Sequence, residues 1–221
     1  SIKTQNAGSL GVSGKMQFIT GTSSGGSTGS FSVDTGVATS GAGGNITLTV
    51  GTGDSGDGGN VRITAGDTTD SEAAGGLIRV SAGHGSSNLE GGGGPVSVFG
   101  GVGAASSGGS LFFQSGYGTK TSSGNVSIVS ANAGAVGVSG WMVVSTGASS
   151  YGNSGFINIA SGDAHSGRGG NITIWVGTGT SGSGGNVAVI AGRSTVLTGG
   201  SVSISSGEGT ATSSGTIVIR T

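Results

Sequence analysis

The chain has 221 residues, of which 54 are Gly, and 39 Ser with 24 Thr bring these three small residue types to 117 positions. Eight basic residues against nine acidic ones give a formal net charge of −1, with one Pro and no Cys. These numbers exclude a strongly basic nucleic-acid binder, which needs clustered Lys and Arg against phosphate, and a disulfide-stapled domain or thiolate zinc site. No run of about 18 apolar residues is present to cross a bilayer, and the Gly-X-Y rhythm and Pro content of collagen are both missing.

In chain order the sequence is a tandem repeat. Aligned on the Gly that precedes each apolar pair, the units open at Gly14, Gly29, Gly44, Gly59, Gly76, Gly94, Gly109, Gly124, Gly140, Gly155, Gly170, Gly185, Gly200 and Gly215. The spacing is 15 in ten of thirteen steps, the others being 17, 18 and 16. Each unit reads G-x-Φ-x-Φ-x-x-G, followed by seven or more mainly small or polar residues. All fourteen are apolar at positions 3 and 5, from Met16 and Phe18 in the first unit to Ile217 and Ile219 in the last. Position 8 is Gly in twelve of thirteen units, with Ala131 the exception.

A longer period lies on top of the short one. GGNITLTVGTG at Gly43 to Gly53 returns as GGNITIWVGTG at Gly169 to Gly179, a shift of 126 that realigns residues 1 to 75 on 127 to 201. The expected organisation is a single repetitive segment over 1–221 with an eight-unit superrepeat of about 126 residues. Ser1 to Thr4 share the unit phase of Val218 to Thr221. From this we expect the chain to be a window of a longer array.

Alternation at positions 3, 5 and 7 has the two-residue period of a strand, and the β-branched residues suit a pleated surface. The expectation is an all-β fold, a β-solenoid resembling a parallel β-helix. One rung per 15-residue repeat is favoured, and a 30-residue rung with two facing strands is the alternative. Stacking such rungs at the usual strand spacing would build one continuous core. The longer returns at Thr68–Ala74 and His84–Gly93 would bulge outward from it.

Positions 2, 4 and 6 then face out. They carry Ile19, Phe99, Phe112, Val129, Trp141, Val143, Phe156, Trp175 and Ile190. Large apolar side chains in that number are a liability on a solitary soluble protein, so these nine are candidate lateral-contact residues. The expected partner is a second copy or a neighbouring solenoid. Asn45, Asn125 and Asn171 each begin an Asn-x-Ser/Thr sequon and are candidate glycosylation sites. The repeat itself builds in this triplet, and the structural alternative is an Asn ladder along the stack.

Position 11 often holds Thr (Thr39, Thr69, Thr119, Thr180, Thr195 and Thr210), the kind of column an ice-binding solenoid presents. It is broken by Asp54, Ala104, Gly134 and His165. Asp67 and His84 share a column, which is the one acid/histidine pairing a carbohydrate-active enzyme would use. An ordinary solvated pair explains it as well. No catalytic set, metal site or cofactor is expected: the chain has no Gly-Lys-Ser/Thr phosphate loop and no regular Asp ligands of a calcium β-roll.

The units GNITLTVGTGDSGDG (Gly44 to Gly58), GNVRITAGDTTDSEAAG (Gly59 to Gly75) and SGEGTATSSGTIVIRT (Ser206 to Thr221) resemble Gly/Ser/Thr-rich tandem-repeat arrays of the algal and stramenopile cell-surface type. That resemblance implies a secreted or cell-surface location and no transferable catalytic residues. The resulting expectation is a non-enzymatic structural protein: a rigid extracellular filament, sheath or adhesive layer formed by stacked, laterally packed solenoids. An ice- or carbohydrate-binding module is the alternative, and a carbohydrate-active enzyme comes third.

Overall fold

The computed structural model describes residues 1–87 and 91–220. Residues 88–90, within the expected bulge at His84–Gly93, lie outside the described residues, as does Thr221 at the end of the last expected strand. Among the described residues there is no helix and no β-strand; turns and bends punctuate irregular backbone. The chain divides into two units, Ser1–Phe112 and Phe113–Thr221.

The expected all-β solenoid is therefore overturned, in its 15-residue and its 30-residue form alike. Among the described residues no segment pairs with another in a ladder, and no hydrophobic or polar one is buried. The accessible surface is 22147 Å². A compact protein of 20.5 kDa would expose about 8,900 Å², and its unfolded chain about 30,000 Å². The chain thus leaves open roughly three quarters of what it could expose.

The reason lies in how one repeat meets the next. In a solenoid with one rung per repeat, each position would sit on its own counterpart in the following unit. Here the opening Gly of a unit comes back onto position 7 of the unit before it. A Cβ on Gly124 would stand 3.5 Å from the Cβ of Ser115, one on Gly140 3.4 Å from that of Ser130, and one on Gly170 3.3 Å from that of Ser161. Further along, Phe18 at position 5 stacks on Phe31 at position 3 of the next unit, with ring centroids 6.2 Å apart and planes at 29°. Position 1 meets position 7, and position 3 meets position 5: the partners add up to eight. Where these contacts are made, successive segments run in opposite senses, and the chain doubles back instead of advancing by one strand spacing.

Six of these turns are closed by a backbone hydrogen bond at the neck. The opening Gly donates its N–H to the carbonyl of the preceding position-8 Gly. The pairs are Gly76 to Gly66 (2.9 Å), Gly94 to Gly83 (2.9 Å), Gly109 to Gly101 (2.9 Å), Gly124 to Gly116 (3.0 Å), Gly200 to Gly192 (2.9 Å) and Gly215 to Gly207 (2.9 Å). The loops they close carry local bonds of their own. Thr68 Oγ1 accepts from Asp70 N (3.1 Å) and Asp70 Oδ1 from Glu72 N (3.0 Å), while Ser194 Oγ accepts from Val196 N (3.3 Å) and Leu197 N (2.9 Å). Such side-chain-to-backbone bonds are what Ser, Thr and Asp contribute to turns. The partly covered residues lie mainly here: Ala65, Ser115 and Ala191 at position 7, and Gly85, Gly118 and Gly209 at position 10.

The two copies of the long repeat also share a backbone detail. Gly56 and Gly182, 126 residues apart, adopt φ of 74° and 81°. Only glycine enters this left-handed region without steric cost.

Candidate association surface

Within a segment, side chains two residues apart lie on one side, as an alternating chain requires. Ser32 Oγ donates to Asp34 Oδ2, Arg62 Nε to Thr64 Oγ1 (3.2 Å) and Arg79 Nε to Ser81 Oγ (3.1 Å), each linking position 4 to position 6. The other side carries the apolar pair. Position-3 side chains are 43–67% exposed, whereas the nine candidate lateral-contact residues are 73–92% exposed. The two sets do not overlap. Position-5 side chains, at 58–88% exposed, overlap the outward set, so only position 3 is distinguished by partial cover.

Ile19, Phe99, Phe112, Val129, Trp141, Val143, Phe156, Trp175 and Ile190 all stand open to solvent. Asn45, Asn125 and Asn171 are likewise exposed, on segments and not in the closed loops. Among the described residues, Asp67 and His84 make no hydrogen bond or ion pair with each other, and no group of three or more His, Cys, Asp or Glu side chains could hold a metal ion. No helix among them is long and apolar enough to cross a membrane.

Where two doubled-back segments approach, a concavity opens. Phe113 at position 5 of one unit, with Val126, Ser127 and Ile128 of the next, lines a cleft of about 450 Å³. It repeats the pairing of Phe18 with Phe31, position 5 against position 3, but here the space between the segments is unfilled. Sequence reasoning assigned Phe113, Val126 and Ile128 to a closed core. The doubling back makes them the walls of an open groove, and no signal in the repeat announces the direction in which successive segments run.

No family model matches this chain. Searches against curated proteins and against solved structures also return no match. The nine candidate contact residues are themselves apolar and uncharged.

Proposed function

We propose that this chain is a structural protein of the cell surface or extracellular space that works by self-association into a cohesive or adhesive layer. The observation that supports it most is the combination of fourteen units, each apolar at positions 3 and 5, with the exposure of all of those side chains in the single chain. Exposed apolar area on this scale is favourable to bury, at about 25 cal/mol per Å², and a single chain has left it unburied. Contact between chains supplies the missing cover. The outward set from Ile19 to Ile190 adds to the same supply of contact area. The extracellular placement draws on the Gly/Ser/Thr-rich composition and the resemblance to cell-surface arrays. Catalysis forms no part of this reading.

The test is light scattering and electron microscopy across a concentration series of the purified chain. Assemblies should appear and grow as concentration rises. A chain that stays dispersed at millimolar concentration would end the proposal. Antibody labelling of intact, unpermeabilised cells should stain their surface, and label found only after permeabilisation would remove the extracellular part.

A further inference from the structure

The geometry points to an oxyanion site at Arg62 and Arg79 that takes one sulfate group between two guanidinium forks. It concerns the single chain and does not depend on self-association.

Arg62 and Arg79 hold position 4 in successive units. The neck between those units is closed: Gly76 N–H donates to the Gly66 carbonyl at 2.9 Å, and a Cβ on Gly76 would lie 3.2 Å from that of Ala65. Position 1 therefore meets position 7 here, and the two segments leave the neck in opposite senses. Counting away from the neck in that register sets Leu77 against Thr64, Ile78 against Ile63 and Arg79 against Arg62. Position 4 is its own counterpart in such a pairing, so an Arg repeated there faces an Arg.

Each guanidinium is steered by its own segment. Arg62 Nε donates to Thr64 Oγ1 (3.2 Å) and Arg79 Nε to Ser81 Oγ (3.1 Å), which ties both side chains to the side shared by positions 4 and 6. Among the described residues neither Arg forms an ion pair, and their Nη groups have no acceptor. Asp57 and Asp67, the carboxylates nearest Arg62 in sequence, stand in the returns on either side and reach neither guanidinium.

Like charges set opposite each other across two segments are destabilising, and no described carboxylate relieves this pair. A sulfate group supplies what is missing. Its oxygens accept from a planar guanidinium fork two at a time, and its charge offsets both cations at once. An uncharged sugar hydroxyl offers neither the charge nor the paired acceptors.

The test follows the Arg Nε–H resonances of the isotope-labelled full-length chain, kept dilute, during titration with sodium sulfate. Ionic strength is held constant with sodium chloride, because exposed charges are screened by salt. Arg62 and Arg79 should shift together along one saturating curve, while Arg168 and Arg193 stay in place. Arg79→Gln should weaken sulfate binding at Arg62 by about tenfold, as loss of hydrogen bonds to a charged group implies, and Arg168→Gln should leave it unchanged. Dextran sulfate separates the two sources of the group. Shifts with this polymer assign a sulfate ester, and shifts with the free salt alone assign the free ion. The inference is overturned by equal shifts at all four arginines, by an Arg62 curve indifferent to Arg79→Gln, or by acetate or uncharged dextran matching sulfate. Absence of a saturating shift with either sulfate probe overturns it as well.

Discussion

Val50 and Val176 occupy position 7 in corresponding units of the long repeat, and each puts a methyl where the next unit's glycine would carry a Cβ, at 2.7 Å from Gly59 and 2.6 Å from Gly185. The same position is Ala65, Ala82, Gly100, Ser115, Ala191 or Ser206 at the six necks closed by a hydrogen bond. Among the described residues, no neck with β-branched Thr or Val at position 7 closes in this way. A second branch on Cβ occupies the space through which the two backbones must approach. Small residues are necessary and not sufficient, since the necks at Ser130 and Ser161 stay open. Val176→Ala should therefore let Gly185 N–H reach the Gly177 carbonyl. Exchange of the Gly185 amide should slow about threefold to tenfold, in line with about 0.5–1.5 kcal/mol for a hydrogen bond. Unchanged exchange would refute this account of the neck. Position 10 gives the opposite experiment. A Cβ on Gly118 would lie 2.8 Å from the carbonyl oxygen of Thr121 and 2.9 Å from the carbonyl carbon of Ser122, across its loop. Gly118→Ala should open that loop, and the Gly124 amide should lose its protection in the same exchange experiment.

At the scale of the element, the working piece is a pair of repeats and not one repeat. A segment alone has an apolar side and nothing to set against it; doubling back gives it the next segment's apolar side. Phe18 on Phe31 shows the contact made, and Phe113 beside Val126 shows it left open. An aromatic pair contributes about 0.5–1.5 kcal/mol beyond its buried area, and here the lower end applies because both rings remain about two-thirds exposed. Phe18→Ala should move the ring-proton resonances of Phe31 toward those of a free phenylalanine. The ring signals of Phe113, in the other unit, should stay where they are. A Phe31 spectrum indifferent to the substitution would mean that the two segments do not meet in solution.

For the whole molecule, the absence of a core has a thermodynamic consequence. A compact domain of this length would absorb about 150 kcal/mol at its midpoint, from about 0.7 kcal/mol per residue. Cooperative melting needs a shared buried interior, and none exists among the described residues. Dilute chain should heat through to 90 °C without a calorimetric transition, and assembled chain should show one whose midpoint rises with concentration, as association linkage requires. A sharp, concentration-independent peak in dilute solution would count decisively against an open single chain.

The sequence alone determined the repeat, its phase, the superrepeat and the sidedness of each segment. These follow from local chemistry: glycines where the chain turns, and apolar side chains at a two-residue period that place Met16 and Ile217 on equivalent sides. Ile19, Trp141, Trp175 and the rest of the outward set are exposed, as are the residues expected to face inward, so their exposure does not set them apart as a class. The tertiary structure alone decided how one segment meets the next. A two-residue period is satisfied equally by segments that stack in parallel and by segments that double back, because both put positions 3 and 5 on one side. What separates them is the geometry of the seven- to ten-residue return. At six returns, all with a small residue at position 7, the bond from the opening Gly to the preceding position-8 Gly closes the return at its base, whereas the necks at Ser130 and Ser161 stay open. Phe18 against Phe31 sets position 5 against position 3, and among the described residues the backbone forms no ladder. The residues expected to form a core stand exposed instead, and Phe113, Val126 and Ile128 wall an open cleft.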